Sequence, residues 1–372
     1  MNTNKTEIDM KTTYKTAVSF AETYKPCFKI AAGFDGFIDI LVKPIMKKKK
    51  DGHEYFSSIA SFGEYLISKS SMSSSIELET ITEKIGGNMP IYAHALTTFG
   101  LTCDCIGTLG LPNVKEIFSS LSEHASLTSV GNPGHCTALE FSDGKVMLAR
   151  NSSIDELDYN LLIDYLGTDR LINWMQNSDA VALLNWSEMR GVSSIWRGLL
   201  DHILPKASIN VNHLLIIDVS DCSCRCADEI REMTELISKF SHYFRVVFSM
   251  NYNEVLSICQ AFDQVSSDIP DMIRFISEKT NVKEIVIHLL DRAFVFDDGK
   301  SCIIPGKRIE APLLTTGGGD NFNAGLTLGL LGGLYLQDAV ALANAAGGFY
   351  VVNGRSASIP ELHQFIYKYY WR

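Results

Sequence analysis

Leu313-Leu314-Thr315-Thr316-Gly317-Gly318-Gly319-Asp320-Asn321-Phe322-Asn323-Ala324-Gly325 is the stretch around which the chain can be ordered. Two threonines and three consecutive glycines run into an Asp, and the apolar segment from Asp320 to Leu331 predicts a helix. Glycines let the backbone turn tightly and point several N–H groups one way. A helix starting at the same place adds its own free N–H groups and positive dipole end. Together they make an anion site, most often for phosphate. A carboxylate is a poor phosphate ligand, because like charges repel. Asp320 makes better sense as a base that takes a proton from a group attacking the phosphate. The bland alternative is a tight turn that only starts a helix. Other phosphate motifs fail: the chain has no G-x-x-x-x-G-K-[ST], and no G-x-G-x-x-G follows a strand.

Working outward, short apolar runs alternate with helical patterns from Leu161 onward, with candidate strands at Ala180–Leu184, His213–Val219, Arg245–Ser249 and Glu284–Leu289. That alternation predicts an α/β fold, a mostly parallel sheet with helices on both faces. Cys27–Gly33 reads as the first strand and leads into Gly33-Phe34-Asp35-Gly36-Phe37-Ile38-Asp39. A further strand is expected over Ile40–Ile45, and a helix over Val114–Glu123. His135–Phe141 and Lys145–Arg150 form a hairpin about Asp143-Gly144. These early strands interrupt the α/β order and are placed in a small sheet off the main body, a lid with segments near 37–50 and 134–150. The first 26 residues read as a helical extension, ahead of one domain over 27–372. Ligands in open parallel sheets sit beyond the carboxyl ends of strands, which brings Gly33–Asp39, Asn251–Glu254 and Thr315–Asp320 to one edge.

The 372 residues are 46% hydrophobic and 20% charged, with a formal net charge of −10. That argues against nucleic acid or an acidic membrane surface as partner. Nine scattered cysteines suit reduced thiols in a cytoplasmic protein, and Cys222, Cys224 and Cys226 lack the second pair a zinc site needs. No apolar run approaches the length of a membrane span.

The motifs taken together resemble the ribokinase-like carbohydrate kinases, also called the phosphofructokinase-B family. Thr315-Thr316-Gly317-Gly318-Gly319-Asp320 is similar to the family's D-T-T-G-A-G-D signature. Gly86-Gly87-Asn88 before a helix resembles its N-terminal glycine pair, Asn251-Tyr252-Asn253-Glu254 its N-x-x-E motif, and Ala343-Asn344-Ala345-Ala346 its nucleotide-side segment. The matches fall in the family's order over roughly Lys29–Ile366.

The resemblance implies a central, mostly parallel sheet with a small β lid, and ATP-dependent transfer of the γ-phosphate to a hydroxyl of a sugar or sugar-like molecule. It assigns Asp320 as base and Gly317, Gly318 and Gly319 as the anion hole. Thr315, Thr316, Asn251 and Glu254 would hold nucleotide phosphate, with Glu254 reaching Mg2+ through water, and Asn344 would lie near the adenine. Asp35, Asp39, Gly86, Gly87 and Asn88 would bind the acceptor, with Asp35 and Asp39 as alternatives for the main contact. The chain departs from the signature at Leu314, where the family's opening Asp helps hold a monovalent cation, which argues against potassium activation. Ile91 replaces a second Asn, and His288–Ala293 lacks the usual glycine. Two rivals stay open: a nucleoside or other small-alcohol kinase, and a binding protein of this fold that has lost efficient catalysis. The lid strands offer edges that a second copy of the chain could cover.

Overall fold

The computed structural model describes all residues except 1–5, 8, 9, 26, 122, 267, 311, 315 and 372. Ten strands form the main sheet. In spatial order they are Thr6–Glu7 (β1), Lys300–Pro305 (β15), Arg292–Asp297 (β14), Glu284–His288 (β13), Arg245–Asn251 (β12), Leu214–Asp218 (β11), Ala180–Leu184 (β10), Lys29–Phe34 (β2), Thr102–Gly107 (β6) and Ala125–Ser129 (β7). Pairing is parallel except at β14, which runs antiparallel to both neighbours. The central strands β10 and β11 are buried along their whole length. That is why they read as continuous apolar runs.

Among the described residues there are eleven α-helices: Met10–Thr23 (α1), Ile59–Ser68 (α2), Asn88–Thr98 (α3), Tyr159–Gln176 (α4), Val192–Gly198 (α5), Ala227–Phe240 (α6), Tyr252–Ala261 (α7), Ile269–Thr280 (α8), Gly318–Leu331 (α9), Leu336–Asn353 (α10) and Ile359–Ile366 (α11), and all but α2 cover the main sheet. Alternate side chains of each strand point to opposite faces. Ile30, Ala32, Ala182 and Leu184 accordingly join a core with α1, α3, α9, α10 and α11, whereas Ala31, Val181 and Leu183 join a second core with α4 to α8. Helix α1 is tied into the first core. Tyr14 is fully buried, stacks on Tyr370 with ring centroids 4.2 Å apart, and donates its hydroxyl to Pro305 O at 2.9 Å.

The second sheet is built on one long strand, Phe37–Lys49 (β3). It pairs with Gly52–Tyr55 (β4), Leu78–Gly86 (β5) and Gly134–Phe141 (β8), and β8 pairs in turn with Gly144–Arg150 (β9). Sequence reading placed only Ile40–Ile45 of β3 and missed β4 and β5. Six consecutive exposed positions, Leu78–Glu83, open β5, so no buried face marks it. Helix α2 packs on this sheet through Phe56, Phe62 and Phe141. The helix expected over Val114–Glu123 is instead a short 3-10 turn at Glu116–Leu121. Among the described residues no helix is long and apolar enough to cross a membrane.

Candidate active site

The glycine stretch opens α9. Gly317 is its N-cap, at φ +100°, a conformation that favours a residue without Cβ, and no side chain caps the helix. The first-turn N–H groups are therefore left for a ligand. Asn321 holds the turn by donating from its backbone N and Nδ2 to Gly317 O, at 3.1 and 2.9 Å. Helix α10 supports it from behind: a Cβ on Gly347 would fall 3.0 Å from Gly318 O, and one on Gly318 would fall 3.1 Å from Val351 Cγ2. Thr316 is partly exposed beside Gly317, while Thr315 lies outside the described residues. Leu314 brings no carboxylate to the entrance of the loop, and the N–H groups of Leu313 and Leu314 go to Val351 O.

Asp320 stands in the first turn of α9, 8% exposed, and accepts no hydrogen bond from a described residue. Burial raises its carboxyl well above the usual range, and the charges of Asp218, Asp35, Glu254 and Asp39 raise it further. The cluster has a common origin. Asp35 follows β2, Asp218 ends β11 and Glu254 follows β12, all at the carboxyl edge of the parallel sheet.

Asn251 and Glu254 close a capping box on α7. Glu254 accepts from Asn251 N at 2.9 Å and Nδ2 at 2.5 Å, and Asn251 Oδ1 accepts from Glu254 N at 3.1 Å. Glu254 is buried, and burial followed by the charge of Asp218 pushes its carboxyl well up. Asp218 accepts from Asn323 Nδ2 at 2.6 Å and Ser220 N at 2.9 Å. Sequence reading missed Asp218 and Asn323, because a lone acid at a strand end and a helix-interior amide carry no local pattern.

The two early aspartates separate by geometry. Asp35 is fully buried and accepts from Asn88 N and Met89 N at 2.8 Å each and from Asn185 Nδ2 at 2.7 Å, so it fixes the start of α3. Burial lifts its carboxyl to about 6 against these three donors. Asp39, on β3, accepts no hydrogen bond from any described residue. Its carboxyl is also lifted to about 6 by burial, which Lys84 and Lys145 oppose. Its carboxylate lies where a Cβ on Gly86 would be, so only glycine admits it there. Lys84 faces Asp39 across the β3–β5 pair, and its ammonium is buried without a partner. Gly87 caps α3, bringing Asn88 next to Asp35.

Asn344 is not brought to this cluster. Its Nδ2 donates to Tyr14 Oη at 3.2 Å and its carbonyl accepts from Tyr370 Oη at 3.3 Å, on the face of α10 turned toward α1. Gly347 and Val351, about one and two turns further along α10, meet the loop instead. His288, at the end of β13, was also missed as a site residue. Its ring lies against Phe322 at 4.9 Å between centroids, a Cβ on Gly319 would fall 3.6 Å from its Cε1, and burial lowers its pKa to about 4, keeping it neutral.

An uncapped glycine turn suits phosphate oxygens. Mutually repelling, acceptor-only carboxylates such as Asp218, Glu254 and Asp320 suit a cation. Among the described residues no three His, Cys, Asp or Glu side chains converge closely enough to ligate a metal directly. The site therefore fits magnesium, which keeps several of its waters. The C-x-C-x-C run forms no such group either; Cys222 is buried while Cys224 and Cys226 are exposed.

The sequence profile of the prokaryotic ketohexokinase family matches residues 9–369. A ketohexokinase from Haloferax volcanii is 28% identical over 340 residues, covering 91% of this chain and 90% of that protein. The fold is that of ribokinase: the Thermotoga maritima ribokinase structure aligns at a TM-score of 0.63, with 16% identity over 91% of this chain and 99% of that one. A putative ribokinase II from E. coli, solved in complex with ATP and Mg2+, aligns at 0.64, with 13% identity over 92% and 99%.

Proposed function

The chain belongs to the prokaryotic ketohexokinase family and is a carbohydrate kinase, and from that premise we propose that it transfers the γ-phosphate of ATP to a hydroxyl of a ketohexose. The observation that carries this reading is Asp320, a buried carboxylate without a hydrogen-bond partner among the described residues, set in the first turn of the glycine-led helix. Asp39 binds the sugar, since it has unspent acceptor capacity, and Asp35 positions Asn88 and α3 beside it. The N–H groups of Gly317, Gly318 and Gly319 meet the charge that builds on the transferring phosphoryl oxygens, where preorganised donors accelerate the reaction most.

Asp320 takes the proton of the attacking hydroxyl. Its raised pKa makes it a competent acceptor once cationic charge at the site offsets its acidic neighbours. Asp218 and Glu254 hold magnesium through water, and Asn251 fixes Glu254 while also facing phosphate. Bound there, the ion neutralises charge on the nucleotide phosphates. Thr316 stands on the nucleotide side of the loop, and Thr315 is assigned to nucleotide phosphate by the family motif alone. The exposed Ile81, Met147 and Leu148 on the lid sheet support a homodimer formed through it.

The test is ADP release with ketohexoses, aldohexoses, polyols and nucleosides as acceptors. Ketohexoses should be used best, and Asp320→Asn should lower turnover by about 100-fold or more. Preference for a nucleoside, or a variant within a few-fold of the parent, would sink the proposal.

A further inference from the structure

Tyr350 lies near the C-terminal end of α10, 7% exposed, and its hydroxyl has no hydrogen-bond partner among the described residues. The ring is buried, but the hydroxyl oxygen is not one of the fully buried unpaired polar atoms, so it stays accessible to a ligand. It rests against the residue that opens α9: a Cβ on Gly317 would fall 2.7 Å from Tyr350 Oη. The same stretch of α10 supports the loop through Gly347 and Val351, both against Gly318. Burial raises the phenol far above its ordinary value, and the charges of Asp320 and Asp39 raise it further. Both carboxylates are thus near enough to act on the hydroxyl, which stays protonated at any working pH. An uncommitted donor therefore stands beside the glycine that opens the anion turn, with Asp320 and Asp39 close enough to act on it through their charge.

We propose that Tyr350 is a catalytic residue, its hydroxyl donating a hydrogen bond to a non-bridging oxygen of the phosphoryl group in flight and so completing with a side chain the anion site that the glycine N–H groups begin. The inference rests on the kinase reading above. In that step the acceptor hydroxyl gives its proton to Asp320 and its oxygen bonds to phosphorus. The bond from phosphorus to the bridging oxygen breaks, and its electron pair leaves with ADP. Tyr350 keeps its proton throughout. Because the negative charge it meets is concentrated in the transition state, its loss should appear in kcat rather than in binding.

Tyr350→Phe removes the oxygen and keeps the ring. The expected result is a fall in kcat of about tenfold or more, with KM for sugar and for MgATP within about threefold of the parent. Affinity for MgADP with aluminium fluoride and sugar, a mimic of the transition state, should fall in proportion, while affinity for MgADP alone and the melting temperature stay unchanged. A kcat within about twofold of the parent, or a loss confined to KM, overturns the inference. Absence of turnover in the parent on every sugar counts against the kinase reading instead. Tyr350 is then judged on aluminium fluoride complex formation alone, and equal affinity in parent and variant overturns its role.

Discussion

Asn323 Nδ2 donates to Asp218 Oδ2 at 2.6 Å, joining the interior of α9 to the end of β11. Both residues are nearly fully buried, so the bond fixes the Asp218 carboxyl group beneath α9, the helix that carries Asp320. Asn323→Ala frees that carboxylate to turn away from Glu254. Removing a partner that orients a metal-site carboxylate typically costs about 10- to 100-fold in metal affinity or activity. The expected outcome is a need for at least about tenfold more free magnesium to reach half-maximal rate, with partial rescue at high magnesium. A magnesium titration unchanged from the parent would remove Asp218 from the proposed metal site.

Gly86→Ala separates sugar binding from nucleotide binding. The new methyl would occupy the space of the Asp39 carboxylate, and Gly86 carries no positive φ that would add backbone strain. Asp39 must swing aside. The sugar KM should rise by about tenfold or more, the cost of losing a charged hydrogen bond, while KM for MgATP changes less than about threefold. Steady-state kinetics with each substrate varied in turn decides this, and equal effects on both would mean that Asp39 does not face the sugar.

Acidic pH should stabilise the ligand-free protein through the same carboxylate. Burial raises Asp39 from 3.8 to about 6, so the folded state binds its proton more tightly than the unfolded chain does. This contribution is fully present below 3.8 and is lost as pH rises through about 6. It amounts to at most about 3 kcal/mol. Without magnesium or nucleotide, Asp39→Asn should lose less stability between pH 4 and pH 7 than the parent does. Denaturant unfolding across that range measures the difference, and parallel curves would contradict the assignment.

Asn344→Ala should cost stability but not nucleotide affinity. The amide is spent on Tyr14, so its loss leaves a buried hydroxyl one partner short. About 1 kcal/mol of stability should go, with KM for ATP within about twofold of the parent. A large rise in that KM would instead place Asn344 at the nucleotide.

How much of this was legible depended on whether chemistry was written locally or across the fold. The glycine turn with Asp320, the Asn251–Glu254 box and the glycine pair at 86–87 are contiguous, and their backbone demands show in the residue types. The buried parallel strands read directly as apolar runs. Asp218, Asn323, His288 and Tyr350 come from four distant elements that meet only because parallel strands deliver their carboxyl ends to one edge, and α9 and α10 cross that edge. No spacing rule connects them. Strand β5 failed for a different reason: sheet pairing with β3, not burial, holds most of it in place. The packing of Asn344 against Tyr14 was not legible either, because a short motif does not state which neighbouring helix its residues meet.

Strand β3 runs for thirteen residues through the second sheet, with irregular pairing at Leu41/Val42 and Ile45/Lys47. Its third residue is Asp39, the proposed acceptor contact, and its far end carries Lys47, Lys48 and Lys49 in solvent. The proposed substrate contact is therefore built into the same strand that carries the small sheet. A tilt of the small sheet would move the Asp39 carboxylate relative to Asp320 on α9, so the distance between the proposed sugar contact and the proposed base follows the attitude of that sheet. A sugar bridging the two would act as a strut, and an empty or wrongly sized acceptor would leave the base facing a gap of the wrong width.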